Sequence, residues 1–512
     1  MAERWPAILV ATGAVALLLI GRLAATIWLY RTGFESLSGD GFLRTLLAAD
    51  WAARPYLAAG GVWLPGHMVS LGALVAVTGD LVLIPRLFSI GLGLIAIALV
   101  AAVGTTLGRD ARAGVVAAAV LTFDPVMLWV SATPLNENLY LALTLLALLA
   151  IIRYDRAGSI GWVIFASVFL TLANSVRFEA WLFSAVFAGV LTWWVVRRRL
   201  PARALVAAGF PLMVPATFSA ANWFTFADPL FWPNAFRAYN VRAYGPGPDP
   251  GGLATALWIA QGPILAIIIV AAVWAARQAR PIRLYLLLVG VPAVIVLVAL
   301  AAGREPINNL LRYLAPFHAL MCPLVGAMAI AMWDALPRPT LVRALAMTLA
   351  GGLLVSRVMV AGAPPPEPSA SGLAVGQRIA ELRAAGSLPQ GPLIVDSNGL
   401  AVYAMMVGAS DIQAILLDRP IDPARRMPPI LGLDPERVAA CVGSANAVGV
   451  VARSPEVERL PGAQLLAVVN GYRIVRLQPG TGGCPGETVR WPDVARDTTG
   501  RLFAALAYSP EG

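Results

Sequence analysis

Five charged side chains stand in or beside apolar stretches: Asp40 in SGDGFLRTLLAADWAAR, Glu137 in TPLNENLY, Arg177 and Glu179 in NSVRFEAW, and Arg312 in LLRYLAPFHALMCPL. Charge at hydrocarbon is costly, so each position invites a functional reading beside a structural one. A carboxylate fixed at a membrane surface, as Asp40 would be between two glycines, can act as general base for an acceptor hydroxyl. It can equally be the N-cap of the helix that follows. Glu137 and its neighbour Asn136 open an apolar run, where the helix dipole favours an acid without any further role. If Glu137 shares a depth with Asp40, the two carboxylates can bind an acceptor amine, orient a hydroxyl or hold a divalent cation. Arg177 with Glu179 reads as a short turn or as an ion pair between helices, and otherwise as a guanidinium reaching a phosphate. Arg312 costs about 2.5–3.5 kcal/mol if it lies centrally in a span. Its fork of donors suits a lipid phosphate, and snorkelling to the interface is the plainer alternative. His67, in WLPGH, and His318 are the two histidines, and a structural role is open to each. Asp50 reads as a solvated helix residue.

Cofactor signals are few. Cys322, Cys441 and Cys484 lack metal-ligand spacing, so no zinc site is implied. Neither a P-loop nor a dinucleotide fingerprint occurs.

The elements that must position these residues follow from composition. With 59% hydrophobic and 13% charged residues and a mean hydropathy of +0.74, the chain departs far from the about 25% charge of globular domains. Its solvent is a bilayer. The net charge of +10 does not point to nucleic acid, because the basic residues punctuate apolar runs and gather on no one face. After the opening run to Tyr30, further runs fall at 84–107, 112–131, 135–152, 159–174, 177–196, 203–224, 253–276, 282–302, 308–332 and 341–362. Most approach the roughly 20 residues that a helical span requires. The opening run is too long for a signal peptide core and reads as an uncleaved first span. The run at 64–79 is ambiguous, and the positive-inside rule decides it. If it does not cross, GRDAR, RYDR, RRRLPAR, RQARPIR and the connection from Arg338 to Arg343 share the side of the N-terminus. The expectation is therefore about eleven transmembrane helices with a cytoplasmic N-terminus, residues 64–79 being a re-entrant or interfacial helix. The outer side then collects the first loop around Asp40, TPLNENLY, NSVRFEAW, the 225–252 loop and REPINNLLRY, which places a site facing outward.

Residues 363–372, APPPEPSASG, read as a Pro/Ser linker. Beyond them GPLIVDS, AVGVVAR and QLLAVVNGYRIVRL read as strands and VGQRIAELRAA as a helix. The organisation expected is a helical polytopic membrane domain over 1–362, the linker, and a small α/β soluble domain over 373–512 outside the cytoplasmic membrane. There Cys441 and Cys484 can pair or stay as thiols. No internal repeat is visible, which weighs against an inverted-repeat transporter.

These residues carry a resemblance. The first span, the Gly39-Asp40 loop and WLPGHMVSLGALVAVTGDLVLIPRL are similar to the GT-C glycosyltransferase superfamily, in particular its polyprenyl-phosphate-sugar-dependent branch of protein O-mannosyltransferases and lipid A aminoarabinose transferases. The run GRDARAGVVAAAVLTFDPVMLWVSATPLNENLYLALTLLALLAIIRYDR, similar to the family's stretch that ends at an outward acid, and the Arg-containing SVRFEAW and RYLAPFHALMCPL add to it. The likeness covers residues 1–330. It implies a membrane enzyme that moves a sugar, mannose or another hexose or pentose, from a polyprenyl phosphate carrier to a lipid, glycan or protein acceptor, with inversion. It also implies Asp40 as the base or the acid that orients the acceptor, Arg312 and Arg177 neutralising the leaving phosphate, and Glu137, Asn136 and His67 lining the cavity. The chain departs from the family in having one acid at Gly39-Asp40 in place of an Asp-Glu pair, and WLPGH in place of a double proline. The rivals are a transporter or lipid flippase, which should carry polar breaks near the middle of several spans, and a membrane scaffold whose tail binds a partner.

Overall fold

The computed structural model describes residues 5–55, 62–262, 264–336, 341–396, 401–418, 430–478 and 489–490. Helices α1 (Trp5–Arg31), α2 (Asp40–Ala53), α3 (Pro65–Thr78), α4 (Leu83–Gly108), α5 (Ala111–Thr122), α6 (Pro125–Ala132), α7 (Glu137–Ala157) and α8 (Ile160–Asn174) follow one another. They are succeeded by α9 (Glu179–Val196), α10 (Leu205–Phe226), α11 (Phe231–Tyr244), α12 (Pro250–Gln261), α13 (Ile264–Ala276), α14 (Arg280–Ala301), α15 (Ile307–Ala335) and α16 (Leu341–Ala361). The chain is a helical multi-pass membrane protein. Among the described residues seven helices are long and apolar enough to cross a membrane, or nine if each of two bent pairs is one span. Two more of the expected runs are the shorter apolar helices Ile160–Asn174 and Met347–Ala361.

The run expected as one span over 112–131 is two helices, α5 and α6, bent by 69°. The cause lies in Asp124-Pro125. A residue before proline is driven from the helical region, and Asp124 is extended, at φ −74° and ψ 119°, while its carboxylate accepts from the Met127 amide to cap α6. The run over 253–276 likewise breaks, by 89°, between α12 and α13.

Two compact units divide the chain, one of residues 1–34, 87–220 and 240–365, the other of residues 35–86, 221–239 and 366–512. In the first, small residues let helices approach closely, the means of association available where lipid removes the hydrophobic drive. An added Cβ at Gly326 of α15 would come within 2.2 Å of the Ala113 carbonyl on α5, and one at Gly114 within 2.4 Å of the Ala101 carbonyl on α4.

In the second unit the first-loop helices pack together. α3 has 14 residues and is thus about 21 Å long, short of the roughly 30 Å hydrocarbon core. It starts with Pro65 at its first turn and ends at Gly79 in the left-handed region, φ 71°. Its Gly72 lies under α2, where a Cβ would meet the Trp51 ring at 2.7 Å and the Ala48 carbonyl at 2.8 Å. Asp50, expected as solvated, is buried. It follows Leu46 by four residues and Leu47 by three, which puts it on the buried face of α2.

The tail adds α17 (Ser371–Ala384), β1 (Leu393–Val395), α18 (Ala401–Gly408), β2 (Ile415–Leu417), α19 (Pro435–Ser444), β3 (Gly449–Ala452), β4 (Gln464–Val469), β5 (Tyr472–Arg476) and β6 (Val489–Arg490). The sheet order is β4-β5-β3-β1-β2-β6, with β1 parallel to β2 and β3 and the outer pairs antiparallel. The strands read from GPLIVDS, AVGVVAR and QLLAVVNGYRIVRL are β1, β3 and the β4–β5 hairpin. That hairpin turns at Asn470 (φ 50°) and Gly471 (φ 80°), the two positive φ values a type I′ turn demands. Within the Pro/Ser segment, Pro368–Ala370 form a 3-10 turn capped by the Glu367 side chain. Cys441 is disulfide-bonded and Cys322 is a free thiol; Cys484 lies outside the described residues.

The closeness of α2 and α3 makes a prediction. Gly72→Ala lowers the midpoint of thermal unfolding in detergent through an overpacking cost of about 1–3 kcal/mol. Gly21→Ala, where an added Cβ meets nothing within 4 Å, leaves the midpoint unchanged. Equal midpoints would mean that the two helices do not touch at Gly72.

Candidate active site

The first unit gathers Asn136, Glu137, Arg177 and Arg312, drawn from three separate stretches. Glu137 opens α7, Arg177 lies in the turn between α8 and α9, and Arg312 sits in the second turn of α15. Glu137 is fully buried, and Arg177 and Arg312 are 5% and 2% exposed. Its Oε1 accepts from Arg177 Nη1 at 2.5 Å and from Arg312 Nε at 3.0 Å. Arg177 Nη1 also reaches Asn136 Oδ1 at 3.2 Å, and its Nε donates to Glu179 Oε2 at 3.0 Å. Asn136 Nδ2 donates to the Val176 carbonyl at 2.9 Å, which ties the start of α7 to the Arg177 turn.

Both structural alternatives read from the sequence are thereby given a form. Arg177 and Glu179 do make a close ion pair, and Glu137 does lie in a first helical turn. Arg312 does not snorkel, since it is buried against Glu137. Two carboxylates and two guanidinium groups balance, which is how a buried ionic group survives. Arg177 lies over aromatic faces as well, its Cζ 5.3 Å from the centroid of Tyr313 and 6.0 Å from that of Tyr140. Asn309, one turn before Arg312, stands 3.5 Å from Arg312 Nη1 through Oδ1 and donates from Nδ2 to Glu305 Oε2 at 3.2 Å.

The turn that presents Arg177 is itself pinned. Asn174 Nδ2 donates to the Pro211 carbonyl at 2.6 Å, Ser184 Oγ donates to Asn174 Oδ1 at 3.0 Å, and Trp181 Nε1 donates to the Asn174 carbonyl at 3.1 Å. One buried asparagine thus joins α8, α9 and α10.

Asp40 and His67 belong to the second unit. Asp40 is the first residue of α2, with Gly39 in the cap position. The N-cap alternative for Asp40 is therefore replaced by a place in the first turn, where the helix dipole favours a carboxylate. The Asp40 amide meets Ser38 Oγ at 3.4 Å, and the residue is half-buried. His67, 1% exposed, lines a hollow of about 10 Å³ with Arg44, Leu47, Trp63, Leu64 and Met68, room for about one water molecule. Arg44 Cζ lies 4.7 Å over the Trp63 ring. Among the described residues no three His, Cys, Asp or Glu side chains gather as metal ligands.

A second buried ionic group in the first unit was not singled out in the sequence. Asp124, at the α5–α6 bend, has Oδ2 2.7 Å from His318 Nδ1 and 3.6 Å from Arg357 Nη2. Arg22 Nη1 donates to the carbonyls of Thr122 at 2.8 Å and Asp124 at 3.1 Å. Arg357 Nη2 donates to the Ile259 carbonyl at the end of α12, at 3.2 Å. The signal that finds them is the one used for Arg312: an ionisable residue within an apolar run, here Arg22, Asp124 and Arg357.

No family model matches the chain, and no curated protein matches it by sequence. Solved structures share its fold. ArnT from Cupriavidus metallidurans bound to undecaprenyl phosphate is similar with a TM-score of 0.58 and 14% identity, over 92% of this chain and 100% of that one. The Archaeoglobus fulgidus oligosaccharyltransferase in its apo form gives 0.53 and 13%, over 88% of this chain and 71% of that one. The archaeal oligosaccharyltransferase AglB from the same organism, in complex with an inhibitory peptide and a dolichol-phosphate, gives 0.51 and 14%, over 86% and 69%. The chain has the GT-C fold that its resemblance implied.

The shared carboxylate yields a prediction. Glu137→Gln leaves two buried guanidinium groups short of charge and costs about 3–5 kcal/mol. Adding Arg312→Gln recovers part of that loss, because groups sharing a partner are not additive. Denaturant unfolding of the single and double variants measures the coupling, and additive losses would break the network into independent residues.

Proposed function

We propose that the protein is an inverting membrane glycosyltransferase. It moves a sugar from a polyprenyl phosphate to a lipid, glycan or protein acceptor on the outer side of the cytoplasmic membrane. The observation that carries this reading is the fold shared along nearly the whole chain with a protein solved with undecaprenyl phosphate bound. A buried pair of arginines, Arg177 and Arg312, adds to it.

In this reading the acceptor hydroxyl attacks the anomeric carbon from the face opposite the phosphate. The carbon–oxygen bond to the phosphate breaks as the new glycosidic bond forms, and polyprenyl phosphate departs with the bonding pair. Asp40 takes the hydroxyl proton, a contribution of about 10²–10⁴-fold for a positioned base. Arg312, with Arg177, meets the charge that grows on the leaving phosphate, and prealigned donors of this kind contribute about 10²–10³-fold each. Asn136 and Glu137 hold the guanidinium groups in place, and His67 lines the acceptor side. Mannose or another hexose or pentose is the sugar proposed. The carrier supplies an activated donor, so the chemistry requires no nucleotide fold.

The transporter reading draws on the charged group at Asp124, which does interrupt an apolar run. Arg22 and Arg357, however, are engaged with helix-end carbonyls and His318 with the Asp124 carboxylate. Such partners suit a splint for the bend better than a hydrated path.

Radiolabelled sugars on polyprenyl phosphate, offered to purified protein with an envelope extract as acceptor, test the proposal. The wild type transfers label. Asp40→Asn lowers the rate about 10²–10⁴-fold without weakening donor binding, and Arg312→Gln lowers it about 10²–10³-fold. Absence of transfer with every donor would reject the enzyme, and full activity in Asp40→Asn would remove that residue from catalysis.

A further inference from the structure

Two helices of the first unit frame an open apolar groove away from the polar cluster. Its volume is about 350 Å³, and it is walled by Val186, Gly189, Val190 and Trp193 of α9 and by Leu287 and Val291 of α14. That volume lies in the range of about 300–1,000 Å³ typical of sites for small ligands. Both walls run on, in helical register, into arginines. On α9, residues 186, 190 and 193 follow at steps of four and three, and Arg197, the cap residue just after the helix, stands four beyond Trp193; on α14 residues 283, 287 and 291 follow at steps of four, so each set lies along one face. Arg197 Cζ lies 4.3 Å over the ring of Trp193.

The two helices meet with these ends together, because Arg280 Cζ lies 5.4 Å from the ring of Trp194. Arg280 is committed to Asp155 at 2.8 Å. Arg197 and Arg283 are exposed and make no ion pair among the described residues. An apolar trough, a tryptophan at its mouth and two guanidinium groups beyond it match the layers of a phospholipid: chain, interface and phosphate. Arginine suits phosphate through paired donors, and net positive charge at the mouth selects an anionic headgroup.

We propose that the α9–α14 groove is a binding site for one anionic phospholipid of the surrounding bilayer, with an acyl chain along Gly189 and Val291 and the phosphate on Arg197 and Arg283. This site is separate from the one proposed for transfer, and neither depends on the other. Gly189 offers a direct probe, because a Cβ added there meets nothing within 4 Å. A larger side chain there starts from a position with room for its Cβ and reaches into the groove that Gly189 lines.

Native mass spectrometry of the purified full-length protein, equilibrated with equimolar phosphatidylglycerol and phosphatidylcholine, reads the site. The wild type retains one phosphatidylglycerol in preference by about tenfold. Gly189→Phe loses that adduct, and Arg197→Gln with Arg283→Gln reduces phosphatidylglycerol to the level of phosphatidylcholine. The arginine variant changes only exposed residues, so its fold is preserved even if Gly189→Phe is poorly expressed. Equal retention of the two lipids by the wild type, or an undiminished adduct in either variant, overturns the proposal. So does displacement of the adduct by added undecaprenyl phosphate, which would make the groove a donor site.

Discussion

A peptide chain interrupted inside hydrocarbon has no water to take up its freed carbonyls, so every break in a span must be satisfied by protein. This chain breaks two of its apolar runs into bent helix pairs and meets the requirement with arginine. Arg22 closes on the Thr122 carbonyl at the end of α5 and on that of Asp124, the cap of α6, and Arg357 on one at the end of α12. A cation at a helix C-terminus also answers the helix dipole. Arg357 further approaches Asp124, so the two breaks share one buried ionic group. Asp124 has its own local duty, capping α6, and its other oxygen engages His318.

His318 lies on α15, the helix that also carries Arg312. The splint at the broken spans and the polar cluster at Glu137 therefore hold the same helix at two points. Two turns beyond His318, α15 is kept close to α5 by glycine, with Gly326 against the Ala113 carbonyl. Tyr285 of α14 adds a third tie, donating to the Leu320 carbonyl at 2.6 Å. An arginine offered to a phosphate is useful only if its own position is fixed, and the surroundings of α15 supply that fixity. The tolerance of so much buried charge follows from pairing, because an isolated ion would neutralise or unfold its surroundings.

The sequence was most legible where a single rule dominated. Apolar runs of about 20 residues located most helices, and Asn470-Gly471 located a hairpin. Positions of Asp40, Glu137, Arg177 and Arg312 were visible as charges at or in apolar stretches, but their partners were not, since Glu137 and Arg312 are 175 residues apart. The break at Asp124 was legible in principle from Asp-Pro inside a run, and was lost because an averaged hydropathy window passes over one dipeptide. Asp50 misled for a related reason. Its polarity suggested solvent, while its spacing from Leu46 and Leu47 put it on the packed face. The strand β2 in AILLDR, three residues long, left too short a pattern to separate from its flanks.

The account rests on Arg312 and Arg177 as a prepared seat for a lipid phosphate. Its most direct test is the affinity of the purified protein for undecaprenyl phosphate set against undecaprenol, which differs only in lacking the phosphate, in the wild type and in Arg312→Gln. The account predicts that the wild type prefers the phosphate form by at least about tenfold and that Arg312→Gln erases the preference while still binding the chain. Equal affinity of the wild type for both lipids, or an unchanged preference in the variant, would contradict it.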